Sequence, residues 1–461
     1  MRCADFLAAA LLSCGMAAAA CAQTDSSAAQ PQSPAAAPAA LSAPSVIKTE
    51  TVQVEDRSSL EWKFFQAQNE NPDQQLAGVL LSEAESWLAA NPAAPHADEM
   101  LFFKAEQQIK LKNYDAAVTT LLRHVFEYPD SSLDFKAKNT LSSLLDKHVE
   151  RKLRQPLLDM IRGVDSSEAK QARMADFLTK TSAIAGEQFY GPLMEEYADF
   201  FLRYPNYEKN DALLLSKAAM NTAKGNYLGA ILEYERILAV YPLSDLRPLA
   251  KRMTGDVYSN NIGDNNKAIE SYQYVVDHFA DSSEAGTAYV QMAHLAEVEK
   301  QYDLAVDVYE KIAKLYDGKQ AAYDALTSEA RILHEKLQRN QDAINVLMRV
   351  ADKFKDDTTV TDPARKDDKA VTALKQAAQI ARKELRDFAQ EIKIYGRIVA
   401  EHPDSVDAPA MLLESGKVYE KDLLDVDNAM KVYQQVIDRY PGNSASSTAA
   451  SRLKSLKKQQ S

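Results

Sequence analysis

Apolar side chains recur along most of this chain at offsets of three, four and seven residues, the spacing of one face of an α-helix. The clearest stretches carry Ala, Tyr, a β-branched residue and Pro at offsets 0, 4, 7 and 12. They are Ala230, Tyr234, Ile237 and Pro242, and Ala429, Tyr433, Val436 and Pro441. Ala268, Tyr272 and Val275 repeat the pattern, as do Ala305, Tyr309 and Ile312, and Ala343, Leu347 and Val350. Proline cannot continue such a helix and stops it. Another small residue lies 12 or 13 positions before each of these alanines, in its own helical stretch; examples are Ala105, Gly255, Ala293, Ala330, Ala378 and Gly416. Paired small side chains let two antiparallel helices approach closely. Polar turns such as Lys112-Asn113-Tyr114 and Gly225-Asn226-Tyr227 separate the two stretches. The pattern therefore predicts helix–turn–helix hairpins. Asp130-Ser131-Ser132, Asp281-Ser282-Ser283 and Asp404-Ser405, which follow the stops, are expected to cap the next helix.

The hairpin recurs. Aromatic-Pro or degenerate stops near residues 91, 128, 204, 241, 279, 316, 354, 402 and 440 are mostly 37 or 38 residues apart. The interval from 128 to 204 spans two periods, with a degenerate unit ending near Gly163-Val164. The interval from 354 to 402 holds ten extra residues, which place an exposed, charged loop near 356–369. Two departures predict local weakness. Residues 133–190 lack a clean Ala-aromatic-Pro unit, so the array is expected to bend or loosen there. Glu391 occupies the usual alanine position ahead of Tyr395, Ile398 and Pro403, which predicts looser packing.

These residues resemble the tetratricopeptide repeat, a 34-residue helix–turn–helix unit. The period here is three or four residues longer, and the extra residues fall mostly in the link after the Pro. That long form, with its Tyr-Pro-x-Ser link, resembles exported bacterial envelope proteins of this repeat class, such as the Bam-complex outer-membrane assembly lipoprotein and the Tol–Pal-associated coordinator of cell division. The resemblance covers about residues 57–450. It implies an all-α, right-handed superhelical solenoid of about ten antiparallel helix hairpins whose first helices line a concave groove. By the same resemblance, groove positions fall just beyond each small residue of the first helix. They include Glu106, Met220, Asp256, Ser259, His294, Glu297, Arg331 and His334. Their mixed polar character suits an extended peptide segment of another envelope protein.

Composition agrees with a helical array. Glycine is 14 of 461 residues, about half the usual ~7%. A single core stops growing at roughly 250–300 residues, so a chain this long must divide or extend. The net charge of −12 lacks the basic footprint of a duplex-binding protein, and no nucleic-acid partner is expected. All three cysteines, Cys3, Cys14 and Cys21, precede residue 22. The body after them therefore has no disulfide, thiol nucleophile or cysteine metal site.

Residues 1–22 read as an export signal: Arg2, an apolar stretch from Phe6 to Ala20, then the small residues Ala20-Cys21-Ala22. Two fates remain open. Leu11-Leu12-Ser13-Cys14 resembles a bacterial lipobox, and Ala18-Ala19-Ala20-Cys21 has better length but lacks the usual Leu. Acylation of either cysteine would anchor the chain to the outer membrane, whereas simple cleavage would release it into the periplasm. Residues 23–55, rich in Ala, Pro, Ser and Gln, read as a flexible linker ahead of the repeat body, 56–461, whose basic end (Arg452, Lys454, Lys457 and Lys458) is expected to complement the dipole of a C-terminal capping helix.

Catalytic patterns are sparse. No H-E-x-x-H, G-x-S-x-G or Walker loop is present, and the seven histidines form no i, i+4 pair. Asp422, Asp425 and Asp427 lack the turn Gly and terminal Glu of a calcium loop. Glu414-Ser415 matches the acid motif of helical lytic transglycosylases but stands in the first helix of a repeat. The expectation is a non-catalytic scaffold in the cell envelope that needs no cofactor and meets a membrane only through a lipid anchor. The alternative is a cell-wall (peptidoglycan) enzyme or a helical regulator of one.

Overall fold

The computed structural model describes residues 56–69, 74–355 and 369–460. The leader 1–22, the linker 23–55, Cys14 and Cys21, and all of the inserted loop but Lys369 lie outside the described residues. Twenty-one α-helices follow one another, with no strand among the described residues. The first eight are α1 (Arg57–Asn69), α2 (Gln74–Ala90), α3 (Ala97–Lys110), α4 (Tyr114–Glu127), α5 (Asp134–His148), α6 (Arg151–Arg162), α7 (Lys170–Ala185) and α8 (Tyr190–Arg203). Next come α9 (Asn210–Ala223), α10 (Tyr227–Val240), α11 (Arg247–Val257), α12 (Asn265–His278), α13 (Ser283–Val298) and α14 (Tyr302–Leu315). The last are α15 (Gln320–Glu335), α16 (Asn340–Lys353), α17 (Lys369–Ile380), α18 (Phe388–Glu401), α19 (Ala408–Lys421), α20 (Val426–Arg439) and α21 (Ser444–Gln460). They make ten consecutive pairs and a terminal helix. From α2 to α5 and again from α9 to α21, each helix packs mainly on its neighbours in sequence, as a solenoid requires.

The repeat pattern becomes packing. Ala117, Ala230, Ala268, Ala305, Ala343 and Ala429 have no exposed surface, because the partner helix lies against them. The residues seven further on, such as Ile237, Val275 and Val436, are buried equally. Each aromatic-Pro stop works through the residue before the proline. Tyr128, Tyr204, Tyr241, His402 and Tyr440 leave the helix at φ between −132° and −117°, because the proline ring disfavours helical backbone ahead of it.

Each of seven hairpin turns holds one left-handed residue five positions before the second-helix Ala or Glu391. They are Lys112, Gly225, Gly263, Lys300, Gln338, Arg386 and Leu424, with φ from 52° to 82°. Where small residue and alanine are 13 apart, one extra residue must be absorbed. After α11 and α17 this is done by a π-helical turn, Tyr258–Ile262 and Ala381–Leu385. Side-chain caps do not stand at Asp130-Ser131, Ser282 or Asp404-Ser405 as expected. They stand on the second helices, where Asn226, Asp264, Asp387 and Asp425 each accept the amide three residues on. The link serines instead staple repeats. Ser131 and Ser244 donate to Asp98 and Asp211 of the preceding first helix while accepting the amides of Leu133 and Leu246.

The degenerate stretch does not loosen. α6 packs lightly on α5 and α7, while α4 reaches past it to touch α7 and α8 directly. A buried ionic cluster seals this contact. Arg123 donates to Glu127 (2.7 Å) and Glu196 (2.9 Å) and pairs with Asp199 (3.0 Å), and Glu127 also pairs with Lys170 (2.9 Å) and Arg203 (3.3 Å). Arg173 on α7 closes the end of α4 by donating to the carbonyls of Phe126 (2.8 Å) and Glu127 (3.3 Å). Three cations and three carboxylates share the cluster, so burial is offset by pairing. Burial alone would raise the Glu127 carboxyl; Arg123 and Lys170 outweigh it and hold it at about 2.

Glu391 also departs from expectation. It is completely buried, not loosely packed. Arg382, carried by the π-helical turn after α17, donates to both carboxylate oxygens (3.1 and 3.2 Å) and to Asp422 (2.9 Å). α21 covers the end of α19 and α20 with Ala445, Ala449, Leu453 and Leu456. Its Arg452 pairs across to Glu420 on α19 at 3.1 Å.

Candidate functional site

The face of the first helices, α3 and the odd-numbered helices that follow, carries the predicted groove residues. Its geometry starts from one spacing. Gly255 and Tyr272, Ala330 and Leu347, Ala378 and Tyr395, and Gly416 and Tyr433 all stand 17 residues apart. The second-helix ring lies over the small residue of the first helix. A Cβ added at Gly255 would lie 2.6 Å from the Tyr272 ring, and one at Gly416 would lie 2.6 Å from that of Tyr433. Glycine is required there so that the phenol can cross. The hydroxyl then reaches a carboxylate on the first helix: Tyr272 donates to Asp256 (2.7 Å), Tyr309 to Glu297 (2.6 Å) and Tyr433 to Glu420 (2.5 Å). Burial, and then the bond to Glu297, pushes the Tyr309 phenol up to about 12.

The same carboxylates pair with cations on the next first helix. Arg331 on α15 donates to Glu297 on α13 at 2.7 Å, and Arg452 on α21 reaches Glu420 on α19. Lys136 on α5 meets Glu106 on α3 (3.1 Å), Arg252 on α11 meets Glu284 on α13, and Lys375 on α17 meets Asp407 at the start of α19 (2.9 Å). An ion-pair ladder thus runs along this face in three stretches, α3 to α5, α11 to α15 and α17 to α21. Burial pushes the Glu297 carboxyl up, but the Tyr309 and Arg331 bonds outweigh it and hold the group below the usual carboxylate range.

The eight predicted residues separate into three kinds. Glu106, Asp256, Glu297 and Arg331 belong to the tyrosine pairs and the ladder; Glu106 also accepts from Asn69 on α1 at 2.8 Å. His294, Ser259 and His334 stay on the accessible face, with His294 exposed and the other two half-buried. Met220 is a correction. It is 3% exposed and packs against the backbone at Gly186, where an added Cβ would lie 3.0 Å from its Cγ. Its side chain turns toward the preceding hairpin and fills the α7–α9 contact rather than the groove. Glu414 pairs with Lys417 (2.6 Å), and buried Ser415 donates to the Met411 carbonyl (3.1 Å), so both are committed within α19.

Two repeats depart from the tyrosine pattern, with Leu121 four residues past Ala117 and Leu347 four past Ala343. Leu347 stands where other repeats place tyrosine. Four residues past the small residue, where Glu297 and Glu420 accept a phenol, this repeat has His334. A cavity of about 510 Å³ opens here between α15 and α17, lined by Ala330, Arg331, His334, Leu347, Gln376, Gln379 and Lys383 among others. His334 Nδ1 lies 2.8 Å from Asn340 Oδ1. Among the described residues no group of three or more His, Cys, Asp or Glu could hold a metal, and no helix is long and apolar enough to cross a membrane.

Residues 410–443, which include Gly416, Ala429 and Tyr433, match the family model of the tetratricopeptide repeat. Most other hairpins repeat the spacing of this matched segment. Residues 249–321 also match the model of the soluble NSF attachment protein. Among solved structures, a tetratricopeptide repeat protein from Parabacteroides merdae is 13% identical, over 62% of this chain and 99% of that one, with a TM-score of 0.30. Yeast Tom70 is 12% identical, over 88% of this chain and 90% of that one, at 0.23. A Rap protein complexed with competence and sporulation factor is 12% identical, over 87% and 98%, at 0.27. Comparison with curated protein sequences gives no match.

Within the matched segment, Glu420 is a carboxylate of the tyrosine pairs that the sequence pattern also marks. It stands four past Gly416, as Glu297 stands four past Ala293, so the spacing already pointed to it. Gln376 and Lys383 carry no such signal. They reach the cavity from the next hairpin, which no local pattern encodes.

Proposed function

We propose that this protein is a non-catalytic protein–protein interaction scaffold of the bacterial cell envelope, which holds an extended segment of another envelope protein on the face of its first helices. The observation that carries the proposal is this face itself. It presents exposed His294 and half-buried Ser259 and His334 on a frame already fixed by tyrosine–carboxylate bonds and the ion-pair ladder. Such a frame orders few groups on binding, so its contacts are not spent on rigidifying the scaffold. Envelope placement is supported by the Ala-rich leader with its small-residue cleavage site.

A photo-crosslinker at position 294, introduced in cells, tests the reading. Capture of the same envelope protein at 294, and not at exposed Gln434 on the second-helix face, is the expected result. Absence of a reproducible partner overturns it. Radiolabelled palmitate incorporated by the wild type and lost in Cys21→Ser or Cys14→Ser establishes the lipid anchor; an unlabelled wild type places the mature chain free in the periplasm.

A further inference from the structure

We propose that the cavity beside Leu347 is a subsite for a tyrosyl side chain of the bound partner segment, with His334 accepting its hydroxyl; this rests on the scaffold reading above. The repeats themselves specify the occupant. Tyr272, Tyr309 and Tyr433 each donate a hydroxyl to an acceptor on the first helix, and the rings of Tyr272 and Tyr433 lie over its glycine. In the α15–α16 hairpin the first-helix small residue is Ala330, and Leu347 stands 17 residues on in place of a ring. A cavity bordered by both Ala330 and Leu347 opens at this position.

The acceptor position changes with it. Glu297 and Glu420 lie four residues past their small residues, and so does His334. When Nδ1 donates to Asn340 Oδ1, Nε2 of the neutral ring is left as an acceptor, and His334 lines the cavity. A neutral acceptor replaces a carboxylate already claimed by the chain's own tyrosine. The apolar side of the cavity, bordered by Ala330, Leu347 and Ile380, suits the ring face, while Gln376 on α17 and Lys383 on the π-helical turn after it add polar groups to the lining. A phenol is thus matched at both its apolar body and its polar tip. Phenylalanine would leave the histidine acceptor unused.

The probe is p-cresol, the tyrosine side chain itself, titrated by NMR into the mature full-length protein labelled at leucine methyls, with the Leu347 signals assigned through Leu347→Ile. Saturable shifts of these signals, with a dissociation constant of about 1–10 mM, are expected of so small a ligand. In Leu347→Tyr the chain's own ring fills the site, and p-cresol affinity should fall at least about tenfold. If that variant fails to fold, His334→Leu carries the test. It should weaken p-cresol by roughly 2- to 10-fold, the worth of one hydrogen bond, and leave 4-methylanisole, which cannot donate, unaffected. Unshifted Leu347 methyls at 20 mM p-cresol, or equal affinity in wild type and Leu347→Tyr, overturn the subsite. The scaffold reading fails separately, when crosslinking returns no partner; a partner captured equally by wild type and Leu347→Tyr overturns the tyrosine subsite alone.

Discussion

Leu424 holds a left-handed backbone at φ 54° with its side chain 77% exposed, so little packing repays the strain. Gly225 and Gly263 meet the same requirement without a Cβ. Leu424→Gly should therefore raise stability by roughly 0.5–1 kcal/mol, read as a shift of the urea midpoint at constant slope. Gly225→Ala should lower it by a similar amount. Glu329 shows a different strain. It is 4% exposed, lies 3.8 Å from Arg349, and its Oε2 has no hydrogen-bond partner among the described residues. Burial, only partly offset by Arg349, raises its carboxyl from 4.5 to about 7. The folded state therefore prefers the protonated form. The stability this contributes is complete below the unfolded pKa and is lost as pH rises through about 7. Glu329→Gln should remove on the order of 2–3 kcal/mol of that fall between pH 5 and 8. Thermal melts across that range check it; parallel wild-type and variant curves would assign the pH dependence elsewhere.

Among the elements, the π-helical turn after α17 has a consequence for the helix facing it. It absorbs the extra hairpin residue and carries Arg382 to the buried Glu391 carboxylate. The two partners are not equivalent. Arg382 is over a third exposed, whereas Glu391 is wholly buried. Arg382→Met should strand a buried carboxylate and cost about 3–5 kcal/mol, while Glu391→Ala restores the residue the other repeats use and should change stability by less than about 1 kcal/mol. Chemical denaturation of both variants decides this. Equal losses would mean that Glu391 packs as an ordinary core residue. The alanine rule predicted a loose unit here because a one-dimensional pattern marks the misplaced Glu391 but not the arginine nine residues earlier that answers it.

Over the whole molecule, the parts written in short-range spacing were readable. Helix pairs, turns, stops and the aromatic face follow from offsets within one hairpin, and so does the position of Asp256, Glu297 and Arg331 on the first-helix face. Contacts between hairpins were not readable in that way. Met220 fits the groove rule by position yet turns into the α7–α9 contact, and Arg123 gives no sign in the sequence of the carboxylates at Glu196 and Asp199, 73 and 76 residues away. The bypass of α6, where α4 meets α7 and α8, is the largest such feature, and Arg123 ties α4 to α8 across it. Arg123→Met should cost about 3–5 kcal/mol, because Glu127 and Glu196 remain buried without their shared cation. Its unfolding should separate into two steps where the wild type shows fewer, visible as a second transition in calorimetry.

That ionic cluster also sets how motion can spread. In a stack where each hairpin leans mainly on its neighbours, opening can begin at either end and move inward one unit at a time. At α4, α7 and α8 the chain is cross-braced, since one arginine ties helices that are not consecutive. Fraying that travels from α21 toward the amino end should halt there, and amide hydrogens in α4 and α8 should outlast those in α19 and α20 during exchange. The least regular stretch of the sequence would then be the anchor point of the spring.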